Sequence, residues 1–308
     1  DAYNVAIGYQ AGTAVTTGTK NIFIGGFAGD GQQTASSSIG IGYRALSSVV
    51  TGANNIALGE DAGIAITSGV NNIILGTAAG DALTTGSYNI AIGQGALSAE
   101  DGNGRNVAIG QSTLAVQNAG ADAYNIAVGY NAGYLMSTGV RNTIIGGLAG
   151  DALTTSTNNV LLGYEAGTNA TIGNSNIAVG FQALYANVAG DRNVAVGTGA
   201  LTFMTSASTA DTYNVAVGYQ AGGAVTSGVN NTLIGGLAGD ALTTGTNNVA
   251  LGYGALGTED TGGQNVAIGV NALTTLNYAG NGLNTAVGYA AGALMTTGVE
   301  NTIIGGSA

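Results

Sequence analysis

The sequence contains no cysteine, histidine, proline or tryptophan, and only 7% of its 308 residues are charged. The absence of Cys and His excludes disulfides, thiolate or imidazole zinc sites, and thiol or histidine catalysis. Five Lys and Arg residues against sixteen Asp and Glu residues give a net charge of −11, so nucleic acid is not an expected partner. No apolar run approaches the ~18 residues of a membrane span, and no membrane insertion of this segment is expected.

Glycine, by contrast, accounts for 56 residues and belongs to a repeat that covers the whole chain. The repeated unit is Asn-h-x-h-Gly, where h is an apolar residue or Thr. It recurs every 17 residues, except for steps of 19, 21 and 19 residues after Asn106, Asn193 and Asn265, and Ser38 replaces Asn in one unit. Eighteen units without a linker predict one continuous repeat domain over residues 1–308, a segment of a longer fibre.

Each unit has the pattern of a short strand that ends at a tight turn. The h positions are mostly Val, Ile and Leu, which suit a pleated surface, and the closing Gly suits a turn. One strand per repeat in a fixed register implies parallel stacking, coil upon coil, at ~4.8 Å per coil. We therefore predict an all-β parallel β-solenoid of about eighteen 17-residue coils, and stacked Asn side chains are expected to form a ladder.

The alternation of the strand predicts which residues lie inside the coil. In the unit that begins at Asn106, Val107 and Ile109 share one face, expected inside, and Ala108 takes the other, expected outside. This outer position is Ala in eleven coils and Phe, Ile or Leu in most others. Such a continuous apolar stripe exceeds what a soluble monomer exposes, so it is predicted to lie on the axis of a symmetric homo-oligomer. The alternative is an oval coil whose second wall covers the stripe within one chain. The candidate oligomer interface consists of Ala6, Ala57, Ala91, Ala108, Ala127, Ala178, Ala195, Ala216, Ala250, Ala267 and Ala286.

The repeats resemble those of two kinds of fibrous protein. Asn-Val-Ala-Ile-Gly at 106–110 and 265–269 and Asn-Ile-Ala-Val-Gly at 125–129 and 176–180 resemble the Ser-Val-Ala-Ile-Gly signature of YadA-like heads of trimeric autotransporter adhesins. The longer unit Asn-h-Ala-h-Gly-Tyr-Gln-Ala-Gly is even more similar to repeats of phage tail-fibre shafts. The resemblance implies a left-handed β-roll wound as a homotrimer, located outside the cell on a virion tail fibre or a bacterial surface. The implied function is structural: the shaft or head of a fibre that attaches to a host or surface.

A column of tyrosines directly follows the strand Gly and is the candidate for surface binding. An exposed aromatic row is suited to stacking on the sugars of a host surface glycan, and a protein receptor is the other partner considered. The alternative is that the rings cover the solenoid corner or pack between protomers. The candidate surface-binding residues are Tyr9, Tyr43, Tyr130, Tyr164, Tyr219, Tyr253 and Tyr289.

The acidic residues do not form a pattern that predicts chemistry. The Asp residues of Gly-Asp turns, such as Asp151 and Asp240, mostly lie several coils apart, which is too far for a catalytic carboxylate pair. Adjacent acidic residues such as Glu100-Asp101 lack the six to eight oxygen ligands that Ca²⁺ takes. We predict no catalytic residue, no metal and no cofactor, and a protein that is not an enzyme. Two alternative functions are a self-assembling extracellular filament and an ice-binding solenoid with stacked Thr pairs. Short insertions on one edge, at 118–122, 206–211 and 278–282, are either binding loops or surface bulges.

Overall fold

The computed structural model describes residues 2–206 and 211–308, and its contacts group the chain into two compact units, Asp1–Thr157 and Asn158–Ala308. Each coil contributes one three-residue strand, and the described residues contain no helix. The strands of the first unit are β1 Val5–Ile7, β2 Ile22–Ile24, β3 Ile39–Ile41, β4 Ile56–Leu58, β5 Ile73–Leu75, β6 Ile90–Ile92, β7 Val107–Ile109, β8 Ile126–Val128 and β9 Thr143–Ile145. Those of the second are β10 Val160–Leu162, β11 Ile177–Val179, β12 Val194–Val196, β13 Val215–Val217, β14 Thr232–Ile234, β15 Val249–Leu251, β16 Val266–Ile268, β17 Thr285–Val287 and β18 Thr302–Ile304.

Within each unit, consecutive strands pair in parallel and in the register of the repeat. Val107 pairs with Ile126 across a step of 19 residues, and Val194 pairs with Val215 across a step of 21, so the insertions leave the strand register unchanged. Each unit is therefore a parallel β-solenoid with one strand per coil, which confirms the predicted all-β solenoid class.

The two faces of the strand are the reverse of those expected from the sequence. Ala108 is fully buried, whereas Val107 and Ile109 on either side of it are only half-buried. The same holds along the Ala stripe from Ala57 to Ala286, and Ala6 in the first coil is the exposed exception. The candidate interface placed on this stripe is therefore wrong at its buried positions, because a side chain that its own chain covers completely cannot contact a second copy. The corrected residues are Ala57, Ala91, Ala108, Ala127, Ala178, Ala195, Ala216, Ala250, Ala267 and Ala286.

The wall that covers the stripe comes from the Ala-Gly or Ala-Leu pair seven and eight residues after the Asn. A Cβ atom built on Gly63 would lie 2.9 Å from the Cδ1 atom of Ile74, the middle residue of β5. Gly63 belongs to the coil of Ala57, one coil before Ile74. Where both its own coil and the next carry a small middle residue, as at Ala91 and Ala108, a buried Leu (Leu97) occupies the glycine position. The choice of Gly or Leu thus complements the volumes of the middle strand residues of its own coil and of the next, because a close-packed interior leaves neither a void nor an overlap. This complementarity accounts for the longer-range alternation of coil types.

The Asn column is a continuous hydrogen-bonded ladder inside the coil. The backbone N–H of Asn72 donates to Oδ1 of Asn55 at 3.1 Å, and the Nδ2 group of Asn72 donates to the carbonyl of Gly86, across its own coil, at 2.9 Å. In some coils the side-chain amide also donates to the Asn of the preceding coil, as from Nδ2 of Asn72 to Oδ1 of Asn55 at 3.0 Å. Most Asn residues of the column therefore join two neighbouring coils and close their own, which satisfies buried polar groups of the backbone. The Nδ2 group of Asn265 is an exception, with no hydrogen-bond partner among the described residues.

Candidate functional site

The tyrosines of the predicted binding column are all exposed on the outside of the coils. Their exposed fractions lie between 48% for Tyr43 and 70% for Tyr9. Some of them also contact a neighbouring coil: a Cβ atom built on Gly236 would lie 3.4 Å from the Tyr253 ring, and Tyr164 stacks on Phe181 with ring centroids 6.1 Å apart. The rings therefore cover part of the coil corner and still present about half of their surface to solvent.

A second aromatic column lies at the other edge of the strand, directly before the Asn. Here tyrosines alternate with arginines, and the Arg105 guanidinium lies 5.5 Å from the Tyr88 ring centroid and 5.6 Å from that of Tyr124. Arg105 also pairs with Asp122 at 3.0 Å. Its positive φ of 64° points the side chain outward from a sharp corner. The sequence signal was the recurrence of Tyr and Arg one coil apart, and it was not assigned to a site.

Between these two columns, the outer face of the strands is apolar. It consists of the first and third residues of each strand, which are Val, Ile, Leu or Thr throughout. The exposed large members are Val5, Ile7, Leu58, Ile73, Ile126, Ile145, Ile177, Leu251 and Ile304. We call these residue positions, taken along one unit, the outer apolar face. The sequence predicted an exposed apolar stripe along the middle residues of the strands. In the structure the exposed apolar stripe lies on the opposite side of each strand, along its first and third residues.

A groove interrupts the tyrosine column in the second unit and encloses about 420 Å³. Its walls are Phe181 and Tyr219, which belong to coils two apart, with Phe203 alongside. The three rings are 48%, 57% and 59% exposed, respectively. We call this cavity the aromatic groove. Such a volume is within the range of small-molecule sites. No repeated sequence pattern indicates this groove, since Phe203 lies outside the repeated columns.

The floor and rim of the aromatic groove combine glycine with neutral polar groups. Thr198, Gly199 and Gly223 form the floor between the aromatic walls, and the hydroxyl of Thr202 donates to the carbonyl of Gly199 at 2.6 Å. Gln182, Gln220 and Asp240 complete the lining. The Nε2 group of Gln182 donates to Glu165 at 2.7 Å, whereas the side chain of Gln220 makes no hydrogen bond within the described residues.

Four carboxyl groups have a raised pKa because they are partly or fully buried. Burial raises the pKa of Asp81 and of Asp240, and hydrogen bonds from their own N–H and the next one oppose this effect. Burial also raises the pKa of Glu100 and Glu259, which lie inside the coil. The described residues hold no group of three or more acidic side chains that could bind a metal ion together. Of the three insertions, residues 207–210 lie outside the described residues.

Comparison with protein-family models, with curated proteins and with solved structures finds no match to this chain. Among the described residues, no helix has the length and apolarity to cross a membrane.

Proposed function

We propose that this chain is a structural and attachment protein, the shaft or head of an extracellular homotrimeric fibre on a phage tail or a bacterial surface. The observation that carries the proposal is the outer apolar face. It repeats at every coil and lies between two columns of exposed tyrosines. A long apolar face of this kind marks an association surface in soluble proteins, and a symmetric assembly of identical chains covers it at every coil at once.

The outer apolar face supports self-association better than the Ala stripe did. Its residues are half-buried or exposed in one chain, for example Ile126 at 43%. The large side chains are regularly spaced at ~4.8 Å along the coils, so equivalent faces can interdigitate in a fixed register. The repeated units support the resemblance to adhesin heads and tail-fibre shafts at the level of sequence alone, and attachment of the fibre to a host or surface follows from that resemblance.

The first experiment is the absolute mass in solution, from light scattering on a size-exclusion column. A homotrimer of 29.8 kDa chains has a mass of about 90 kDa. The matched variant combines Ile92→Lys, Ile109→Glu and Val128→Lys, whose alternating charges on successive coils support one another in the free chain. We expect it to be a folded monomer. A wild-type chain that is monomeric at high concentration would contradict the proposal, and an open-ended series of masses would favour a self-assembling filament.

Ice binding is a second candidate because of one hydroxyl column in the first unit. Five successive coils expose a hydroxyl side chain thirteen residues after the Asn or Ser that opens the coil, namely Thr17, Thr34, Thr51, Ser68 and Thr85. The Thr one residue earlier bonds to the next coil more closely: the hydroxyl of Thr67 donates to the carbonyl of Thr84 at 3.2 Å. Within the exposed column, Thr51 and Thr85 make longer bonds, of 3.4 and 3.5 Å. Thermal hysteresis in the wild-type chain that is lost in a Thr34→Tyr, Thr51→Tyr variant would favour this function over attachment.

A further inference from the structure

We propose that the aromatic groove binds a neutral saccharide, with one sugar ring held between Phe181 and Tyr219. The inference deepens the proposed attachment function and rests on it for its biological meaning. It differs from the predicted tyrosine row because it assigns binding to one place, where the column is interrupted. Of the row, only Tyr219 lines this place, and Phe181 and Phe203 are added to it.

The spacing of the two walls suits a single ring. Phe181 and Tyr219 belong to coils two apart, and two coil steps amount to roughly 10 Å. A sugar ring between the two walls needs a separation of about 3.5–4.0 Å from each wall. The two separations together take up most of the distance, so one ring fits and a second does not. Tyr164 stacks on one face of Phe181 with an interplanar angle of 7°, so the opposite face is the one directed toward the groove. A pyranose ring presents its C–H groups to aromatic faces in such an arrangement.

Two lining positions, Gly199 and Gly223, carry no side chain, and neighbouring atoms approach them closely. A Cβ atom built on Gly199 would lie 3.3 Å from the Cγ atom of Gln220, and one on Gly223 would lie 3.2 Å from the Gln220 carbonyl oxygen. At the position of Gly223, other coils carry larger residues, such as Thr13, Ile64 and Tyr134. The glycines at 199 and 223, in two neighbouring coils, therefore add no side chain to the groove lining.

The polar groups of the groove match hydroxyl groups rather than charges. Gln220 and Thr198, which both line the groove, offer donors and acceptors. Among the described residues that line the groove, Asp240 is the one carboxyl, and none is Lys or Arg. With a net charge of −11 on the chain, an acidic sugar such as a uronic acid would be repelled. We therefore assign the groove to uncharged hexose or N-acetylhexosamine chains.

The test uses soluble hexasaccharides and the full chain. Cellohexaose, maltohexaose and N-acetylchitohexaose are the neutral probes, hexagalacturonic acid is the acidic one, and binding is followed by saturation-transfer NMR and calorimetry. We expect at least one neutral probe to bind and the acidic probe not to bind. Absence of binding by all three neutral probes at millimolar concentration overturns the proposal, and equal binding of the acidic probe overturns the assignment to neutral sugars.

Two variants place the binding in the groove. Gly223→Tyr fills the floor with the residue that the equivalent position of another coil already carries, and Tyr219→Ala removes one wall. Each should weaken saccharide binding at least tenfold. The matched controls Thr13→Tyr and Tyr130→Ala change the same columns in the first unit and should leave the affinity unchanged. Binding that survives Gly223→Tyr in a chain with unchanged circular dichroism contradicts the proposal, as does equal weakening by the controls.

The same variants separate this proposal from the proposed fibre. Light scattering reports the assembly and saccharide binding reports the groove, and Gly223→Tyr should change only the second. A wild-type chain that binds the saccharide as a monomer refutes the trimeric fibre and supports the groove. A chain that assembles and attaches to cells without binding any neutral probe refutes the groove and supports the fibre. If the attached partner is instead a protein, protease treatment of the cells removes attachment and the neutral probes do not compete, which also refutes the groove.

Discussion

The backbone N–H of Asn106 donates to the side-chain Oδ1 atom of Asn89 at 3.0 Å, and both residues are fully buried. This contact is one rung of a ladder that links coil to coil in the interior. Asn89 also donates from Nδ2 to the carbonyl of Asn103 at 3.0 Å. A single side chain thus satisfies a backbone donor of the next coil and a backbone acceptor of its own.

Replacement of Asn89 by Ala should lower the free energy of unfolding by about 2–4 kcal/mol, since a buried donor and a buried acceptor lose their partners. The stability of Asn89→Ser should lie between those of the wild-type chain and of Asn89→Ala. Ser38 occupies the same column, and its Oγ atom still accepts the N–H of Asn55, at a longer 3.4 Å. Thermal unfolding followed by far-UV circular dichroism gives the order. An Ala variant as stable as the wild-type chain would show that the ladder contributes nothing.

Neighbouring positions on β7 test which face of the strand is inside. Ala108→Glu places a charge in a fully buried site without a partner and should disrupt the coil, at a cost above about 4 kcal/mol. Ile109→Glu, one residue further along, adds the charge to the half-buried outer face and should cost far less in a dissociated chain. Equal destabilisation by the two substitutions, measured by chemical denaturation, would contradict the observed orientation.

The strand-closing glycines allow a steric prediction. Gly110 has a φ of +136°, and a Cβ atom there would lie 2.3 Å from the carbonyl oxygen of Gly129 in the next coil. Gly110→Ala should therefore cost more than about 3 kcal/mol, through backbone strain and this overlap. Gly120 also has a positive φ, of 71°, but it has no atom within 4 Å of its Cβ position. Gly120→Ala is the matched control, expected to cost about 1 kcal/mol, and a similar loss in both variants would rule out the overlap as the cause.

Buried glutamates should make the chain more stable at mildly acidic pH than at neutral pH. Burial raises the pKa of Glu100 and Glu259 in the folded chain above its value in the unfolded chain. The folded chain then binds more protons between these two values, so stability is highest below the unfolded pKa and decreases as pH rises through the folded pKa. The melting temperature should rise by a few degrees from pH 7 to pH 5. In a Glu100→Gln, Glu259→Gln variant this rise should shrink, and an unchanged pH profile would contradict the assignment.

Much of the fold follows from the period of the sequence alone. The Asn-h-x-h-Gly unit identifies each strand, and Val107 and Val194 pair with the equivalent residues of the next coils as the repeat requires. The exposure of the tyrosine column is also as expected. The aromatic groove could not be predicted from the repeat. It depends on which residues of different coils come together in the folded chain, among them Gly199, Phe203 and Gly223.

The sequence by itself determined the period, the strands and their parallel register, since equal spacing of a strand pattern leaves one way to stack the coils. The tertiary structure decided which face of each strand lies inside. Hydrophobicity does not distinguish Val107 and Ile109 from Ala108, because the strand is apolar on both sides. The opposite wall decides it. Ala108 is buried in a coil whose wall carries the buried Leu114, and Ile74 is buried at the same inner position because Gly63 and Gly80 leave it space.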